Sequence, residues 1–255
     1  VDTRIVGSFL GEDALAAVGA TSTLSGLIIG FLLGLSNGFA IITAQKFGAK
    51  NIADMKKSFA MSLVIGTGIS ILSGLLFLKP ILHFLNVPKH LVPVAKGYIA
   101  IIIAGLLATF LYDACAATLR AIGDAVTPLI ILAISVALNI VGDLFFVVVL
   151  KTGVKGAAIA TVLAQIIAFV ICWIYMIRKY EILRLQKEDF KDPSPIMVKE
   201  MISAGMSMGF MSSLVNIGTL TLQTAINKLG KDIIIAHTAA RKISEIFMIM
   251  FSVFG

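Results

Sequence analysis

Residues 14–45 read ALAAVGATSTLSGLIIGFLLGLSNGFAIITAQ and contain no charged side chain. A helix rises about 1.5 Å per residue and needs about 20 mostly apolar residues to cross the hydrocarbon of a bilayer, so this stretch is long enough with turns to spare. The period-2 alternation that a membrane barrel requires is absent, and a lipid-exposed backbone must satisfy its own hydrogen bonds, so the stretch is read as α-helix. The pattern recurs at residues 58–78, 97–112, 125–142, 156–177, 201–227 and 246–255. About seven spans therefore follow residue 13, and the fold class expected is an all-α integral membrane protein, a polytopic helix bundle.

Composition agrees and narrows the function classes. The 255 residues are 58% hydrophobic and 14% charged, with a mean hydropathy of +1.01, far from the roughly 25% charged residues of a soluble domain. A soluble enzyme, a disulfide-stapled secreted domain and a disordered tail are excluded. Cys115 and Cys172 both sit inside apolar runs and read as small buried hydrophobes. Lys and Arg number 21 against 14 Asp and Glu, but these cations lie mainly between apolar runs, where lipid headgroups explain them and nucleic acid is not an expected partner. The start of the chain does not have the pattern of a cleaved signal peptide.

The charges also orient the chain. Alternate connections carry Lys46, Lys50, Lys56, Lys57, Arg120, Arg178, Lys179, Arg184, Lys187, Lys191 and Lys199, eleven cations, against seven on the opposite side, Lys79, Lys89, Lys96, Lys151, Lys155, Lys228 and Lys231. By the positive-inside rule, residues 46–57 and 178–199 face the cytoplasm. Helix starts are expected at Asp13, as the cap of a helix from Ala14, at Thr127-Pro128, a capping hydroxyl before a first-turn proline, and at Asp192-Pro193-Ser194-Pro195. Both ends look open: the first dozen residues read as the end of an earlier helix, and residues 246–255 are apolar to the last. Leu10-Gly11-Glu12-Asp13 resembles Leu229-Gly230-Lys231-Asp232 at an offset of 219 residues. The expectation is a piece of a chain nearly twice as long, built from two repeats, a pattern found in transporters.

Small residues and isolated polar groups carry the remaining information. Gly30, Gly34 and Gly38 share one helix face and invite close approach of a neighbouring helix. Gly205-Met206-Ser207-Met208-Gly209 has the spacing of a nucleophile elbow, but that motif needs a strand-turn-helix context and a base, for which His237 is the one candidate; helix packing is the expected role. His83, His90 and His237 lack zinc-ligand spacing, and no enzyme is expected. An acidic side chain inside a span is costly and marks an interior or ion pathway. Asp2, Asp113 and Asp143 are the candidates. Asn139 lies four residues before Asp143, so both point from one helical face, half of an oxygen-ligand site that Thr161 and Asp2 could complete from neighbouring helices. Interhelical hydrogen bonding is the other reading of this pair. Asp113 sits seven residues before Arg120, which leaves it either pairing near the interface or lining a cavity for cationic substrates.

At these residues the chain resembles the multidrug and toxic compound extrusion (MATE) family. The ordered patterns are Val1-Asp2-Thr3 with Val6-Gly7; Ala14-Leu15-Ala16-Ala17-Val18-Gly19; Gly34-Leu35-Ser36 leading to Ala44-Gln45 and Gly48-Ala49; Leu119-Arg120-Ala121-Ile122-Gly123-Asp124 with Thr127-Pro128; Leu138-Asn139-Ile140-Val141-Gly142-Asp143; and Gly156-Ala157-Ala158-Ile159-Ala160-Thr161. The resemblance implies two six-helix lobes around a central cavity. Residues 1–180 would be the first lobe without most of its first helix, 181–195 a cytoplasmic inter-lobe linker, and 196–255 helices seven and eight of a truncated second lobe. It also implies a cation-coupled multidrug antiporter of the cell membrane, using Na+ or H+ and no other cofactor, exporting organic cations or amphiphiles, and monomeric at full length. The family's first-lobe cation site maps onto Asp2, Asn139, Asp143 and Thr161, with Tyr98 as a neighbour. The acidic residue that another branch carries on the seventh helix is missing from residues 201–227, which offer only Asn216 and Gln223.

Two rivals stand beside this reading. A lipid-linked saccharide flippase of the same superfamily would hold a pyrophosphate with intramembrane cations, yet here those charges are mainly acidic, Arg241-Lys242 apart. A complete seven-helix receptor fits the length, but a retinal-type lysine is missing from residues 246–255.

Overall fold

The computed structural model describes residues 2–10, 12–84, 92–227 and 244. Among them there is no strand; the chain runs as α1 (Asp2–Leu10), α2 (Glu12–Gly48), α3 (Ile52–Phe84), α4 (Val92–Ala121), α5 (Val126–Asp143), α6 (Val154–Lys179) and α7 (Pro195–Asn227). A π-helical segment, Leu144–Val149, continues α5, and two short 3-10 turns, Glu181–Leu183 and Lys187–Phe190, lie between α6 and α7. Five helices among the described residues are long and apolar enough to cross a membrane: Ser25–Gly48, Ile52–Leu76, Lys96–Ala121, Val126–Val149 and Val154–Lys179. α7 has the length, but Ser203, Ser207, Ser212, Ser213 and Asn216 dilute its apolarity. The span expected at residues 246–255 lies outside the described residues, as do His83's side chain, His90, His237 and Arg241-Lys242.

Two of the expected helix starts are corrected. Asp13 lies inside α2, which begins at Glu12. α5 begins one residue before Thr127, and the side chain that caps it is Asp124, whose Oδ1 accepts the Thr127 N–H at 3.1 Å. The third start holds: α7 begins at Pro195, with the Val198 N–H donating to the Ser194 carbonyl. At the head of α3, Asn51 and Asp54 cap reciprocally, Asn51 Oδ1 accepting the Asp54 N–H and Asn51 Nδ2 donating to Asp54 Oδ2.

The chain divides into two compact units, Val1–Ser213 and Leu214–Gly255. In the first, α4 lies between α2 and α6, with α3 beside α2 and α4 and α5 beside α6. Gly97 and Gly105 of α4 face Lys155 and Val162 of α6, so these two helices run parallel, whereas Asn139 against Thr161 and Ser135 against Ala164 show α5 antiparallel to α6. The first half of α7 packs antiparallel on α2. A Cβ on Gly34 or Gly38 would collide with the backbone of Met208 or Ala204, and Gly205 and Gly209 lie against Phe39 and Phe31 in return. This is the role expected of Gly34 and Gly38, and it gives the Gly205–Gly209 motif a packing role as well.

The connection 180–194 is docked. Leu183 is fully buried in a cluster with Met55, Phe59, Cys172 and Met176, and Arg184 Nε donates to the Ile177 carbonyl at 2.8 Å. Lys50 and Asp192 take positive φ where the chain turns away from a helix or toward the next.

Candidate cation site

α5 is amphipathic in reverse. Its buried residues are Pro128, Ile131, Ser135 and Asp143, while Leu129, Ile130, Leu132, Ile134, Val136, Leu138, Ile140 and Val141 are exposed. In water such a helix would not be stable in place; in lipid, apolar side chains face outward and the polar stripe faces the bundle. Ser135, Asn139 and Asp143 recur every four residues on that stripe.

The stripe meets α6. Asn139 Nδ2 donates to Thr161 Oγ1 at 3.1 Å, Thr161 Oγ1 donates to the Ala157 carbonyl at 3.0 Å, and Ser135 Oγ donates to the Ala164 carbonyl at 3.3 Å. Asp143 has no exposed surface. Between them Gly142 brings the two helices close, since a Cβ there would stand 3.0 Å from that of Ala160. Three of the residues expected in the site, Asn139, Asp143 and Thr161, thus share one α5–α6 seam. Ser135 was not anticipated, although its spacing from Asn139 carried the signal.

Asp143 is also the last α-helical residue before the π-helical segment. The Leu144 N–H is shared between the Ile140 and Val141 carbonyls, and Leu150 N–H reaches back to Phe145. π-segments of this kind are rare and concentrate at functional positions. Val147, within the segment, packs with Val6 of α1, Val18 of α2, Tyr98 and Ile102 of α4, and Val154, Ala157 and Ala158 of α6.

Asp2 belongs to α1, which packs against α2, α5, the π-segment and α6; its side chain lies outside the described residues. Tyr98 is buried in the same cluster as the π-segment, beside the seam. Asp113 is elsewhere. It lies fifteen residues along α4 from Tyr98, roughly 22 Å at the α-helical rise, half-buried and under the Coulomb influence of Arg120. Arg120 itself donates to Asn37 Oδ1 at 3.1 Å. Among the described residues no three His, Cys, Asp or Glu side chains come together, and there the seam offers the Ser135 and Thr161 hydroxyls, the Asn139 carboxamide and the Asp143 carboxylate, oxygen chemistry suited to a hard cation.

A second polar cluster ties the other ends of α5 and α6. Asp124 Oδ2 accepts from Tyr180 Oη at 2.7 Å and from Thr127 Oγ1 at 2.8 Å, with Lys179 Nζ at 3.6 Å, while Tyr175 Oη lies 3.1 Å from Thr127 Oγ1 and accepts from Lys179. Burial works against ionisation of Asp124, but the Tyr180 hydroxyl, the Thr127 N–H and hydroxyl and the Lys179 charge outweigh it and hold its carboxyl below the usual range. The same bond to Asp124 pushes the Tyr180 phenol up.

Comparison with known proteins agrees with this architecture. Residues 1–145 match the MatE family model. The chain is 30% identical over 253 residues to the probable multidrug resistance protein YpnP of Bacillus subtilis, covering 96% of this chain and 55% of that protein. It is 28% identical over 259 residues to the probable multidrug resistance protein YoeA of the same organism, again covering 96% and 55%. The chain therefore spans about half the length of the curated relatives it matches. Its fold superposes on a MATE crystal structure in complex with MaL6 with a TM-score of 0.87 at 23% identity, over 96% of this chain and 55% of that one. Members of this family are multi-pass membrane transporters and not enzymes. With more than half of its residues in the family model and a helix arrangement to match, this chain belongs to the MatE family.

Proposed function

We propose that this chain is the first lobe, followed by the opening of the second, of a cation-coupled multidrug efflux antiporter that exports organic cations and amphiphiles by alternating access. The observation that carries the proposal is the reversed amphipathicity of α5, which exposes its Leu, Ile and Val residues and packs the stripe of Ser135, Asn139 and Asp143 along α6, with Asn139 against Thr161. Its relatives' names describe multidrug resistance proteins, which supports the substrate class.

In the proposed cycle Asp2 and Asp143 share the site with Asn139 and Thr161. Two carboxylates in a poorly solvated space do not both stay charged without a counterion, so a cation, Na+ or H+, enters with one of them. Occupation from outside favours one arrangement of α1, α5 and α6, and release to the cytoplasm favours the other, which is all that coupling requires. Asp113, remote from that seam, is assigned to the cavity that holds cationic substrates, with Tyr98 positioning the outer end of the site. The full-length protein is taken to be a monomer of the cell membrane.

Efflux measured with the full-length protein tests the site. Asp143→Asn and Asp2→Asn keep the side-chain shape and remove the ionisable group; each is expected to abolish coupled efflux while leaving the protein folded in the membrane. Wild-type efflux from either variant removes that residue from the mechanism.

A further inference from the structure

On the reading of the site given above, α6 bears on the identity of the coupling ion. The buried residues of this helix are Val154, Gly156, Ala157, Ala158, Ala160, Ala164, Ala168, Cys172 and Met176. At 3.6 residues per turn, Thr161 lies near the middle of that stripe, and Gln165 is about 40° round from it and roughly 6 Å further along the axis. Ala164 faces α5, through Ser135, and Val162 faces α4, against Gly105. Gln165 falls between those two directions, on the seam that Thr161 occupies and one turn nearer the end of α6 that carries Arg178 and Lys179. Its Oε1 is out of contact with solvent and finds no hydrogen-bond donor among the described residues. Buried side-chain oxygens are nearly always partnered, so one that is not calls for an occupant.

We propose that Gln165 is a further oxygen ligand of the cation site, extending it one turn toward the cytoplasm, and that the ion it serves is sodium. A neutral carboxamide oxygen does not hold a proton at physiological pH, but it replaces a water in the shell of an alkali cation. The Asn139 carboxamide and the Thr161 hydroxyl are joined on the seam, and Gln165, on the turn of α6 that faces Ser135, adds a third neutral oxygen further along it, a series that a proton has no use for and a partly dehydrated sodium ion needs. Gln165 thereby offers the ion its next contact on leaving Asp143 for the cytoplasmic side.

The full-length protein in proteoliposomes, exporting ethidium, separates the alternatives. Sodium gradients at equal pH and proton gradients without sodium are applied in turn to wild type, Gln165→Met, which keeps the volume without the acceptor, and Gln165→Asn, which keeps the carboxamide but withdraws it. The sodium concentration for half-maximal efflux is expected to rise about tenfold in Gln165→Met and by an intermediate factor in Gln165→Asn, with proton-driven efflux unchanged in both. Sodium half-saturation within twofold of wild type in Gln165→Met overturns the proposal, as does an equal fall in sodium-driven and proton-driven efflux, or wild-type efflux indifferent to sodium. Asp143→Asn tells the two readings apart: if it abolishes coupled efflux while Gln165→Met keeps the wild-type sodium response, only Gln165 is lost; if Asp143→Asn itself keeps that response, the site as a whole is wrong.

Discussion

A fully buried carboxylate in a helix that otherwise shows lipid Leu, Ile and Val must be tolerated for a reason, and at Asp143 the reason is visible in its neighbours. Asn139 and Thr161 are joined by a 3.1 Å hydrogen bond, and the Thr161 hydroxyl in turn donates to the Ala157 carbonyl. Thr161→Val keeps the shape but strips the acceptor from Asn139 Nδ2, a loss of about 1–3 kcal/mol for an unmade buried bond. It is expected to lower the thermal midpoint and to weaken the cation dependence of efflux, while Thr161→Ser stays near wild type; thermal unfolding and a cation titration check both. At this scale much was legible beforehand. Asn139 and Asp143 stood out because i,i+4 spacing is local, and Thr161 was a candidate from its place on the next helix, to which the resemblance added. Ser135 extended the same period and could have been found. Gln165 could not, because what distinguishes it is an unpartnered oxygen between α4 and α5, which depends on how helices far apart in sequence pack. Asp113 was already set apart in the sequence by Arg120 seven residues on, and the fold places it fifteen residues along α4 from Tyr98, away from the seam.

Helices behave here as paired elements. α5 and α6 are joined near the Asp143 end by the Gly142–Ala160 approach and the π-segment, and at the other end by Asp124, Thr127, Tyr175, Lys179 and Tyr180. The Asp124 cluster makes a pH prediction with a definite sign. Its carboxyl is held below its ordinary value in the folded protein, so its stabilisation is present above an unfolded pKa of about 3.9 and is lost as pH falls through the folded value. Thermal stability of the wild type should therefore decline on acidification below about pH 4 more steeply than that of Asp124→Asn; parallel declines in the two would remove Asp124 from the anchor. The Thr127-Pro128 start was read two residues late: the N-cap is Ala125, and Asp124, not Thr127, supplies the side chain that takes a first-turn N–H while also binding Tyr180, fifty-six residues away. The π-segment had no sequence mark at all: Leu144–Val149 is LFFVVV, which an α-helix would accept equally well. The glycine pairs of α2 and α7 were visible as surfaces for close approach, but that they approach each other is a long-range fact.

For the whole molecule, composition alone was enough to place the chain in a bilayer, because a chain 58% hydrophobic with charges confined mostly to connections has no other stable solvent. The MatE family and the lobe-like helix arrangement follow from patterns spread along the chain and from the fold. The antiport proposed above requires that a cation moving one way be tied to a substrate moving the other. The direct measurement is countertransport in proteoliposomes of the full-length protein, with radiolabelled sodium on one side and an organic cation added to the other. For the sodium-coupled cycle, wild type is expected to move sodium against the added substrate, and Asp143→Asn to move neither. Substrate movement with no sodium countermovement, or coupled fluxes that survive Asp143→Asn, would contradict it.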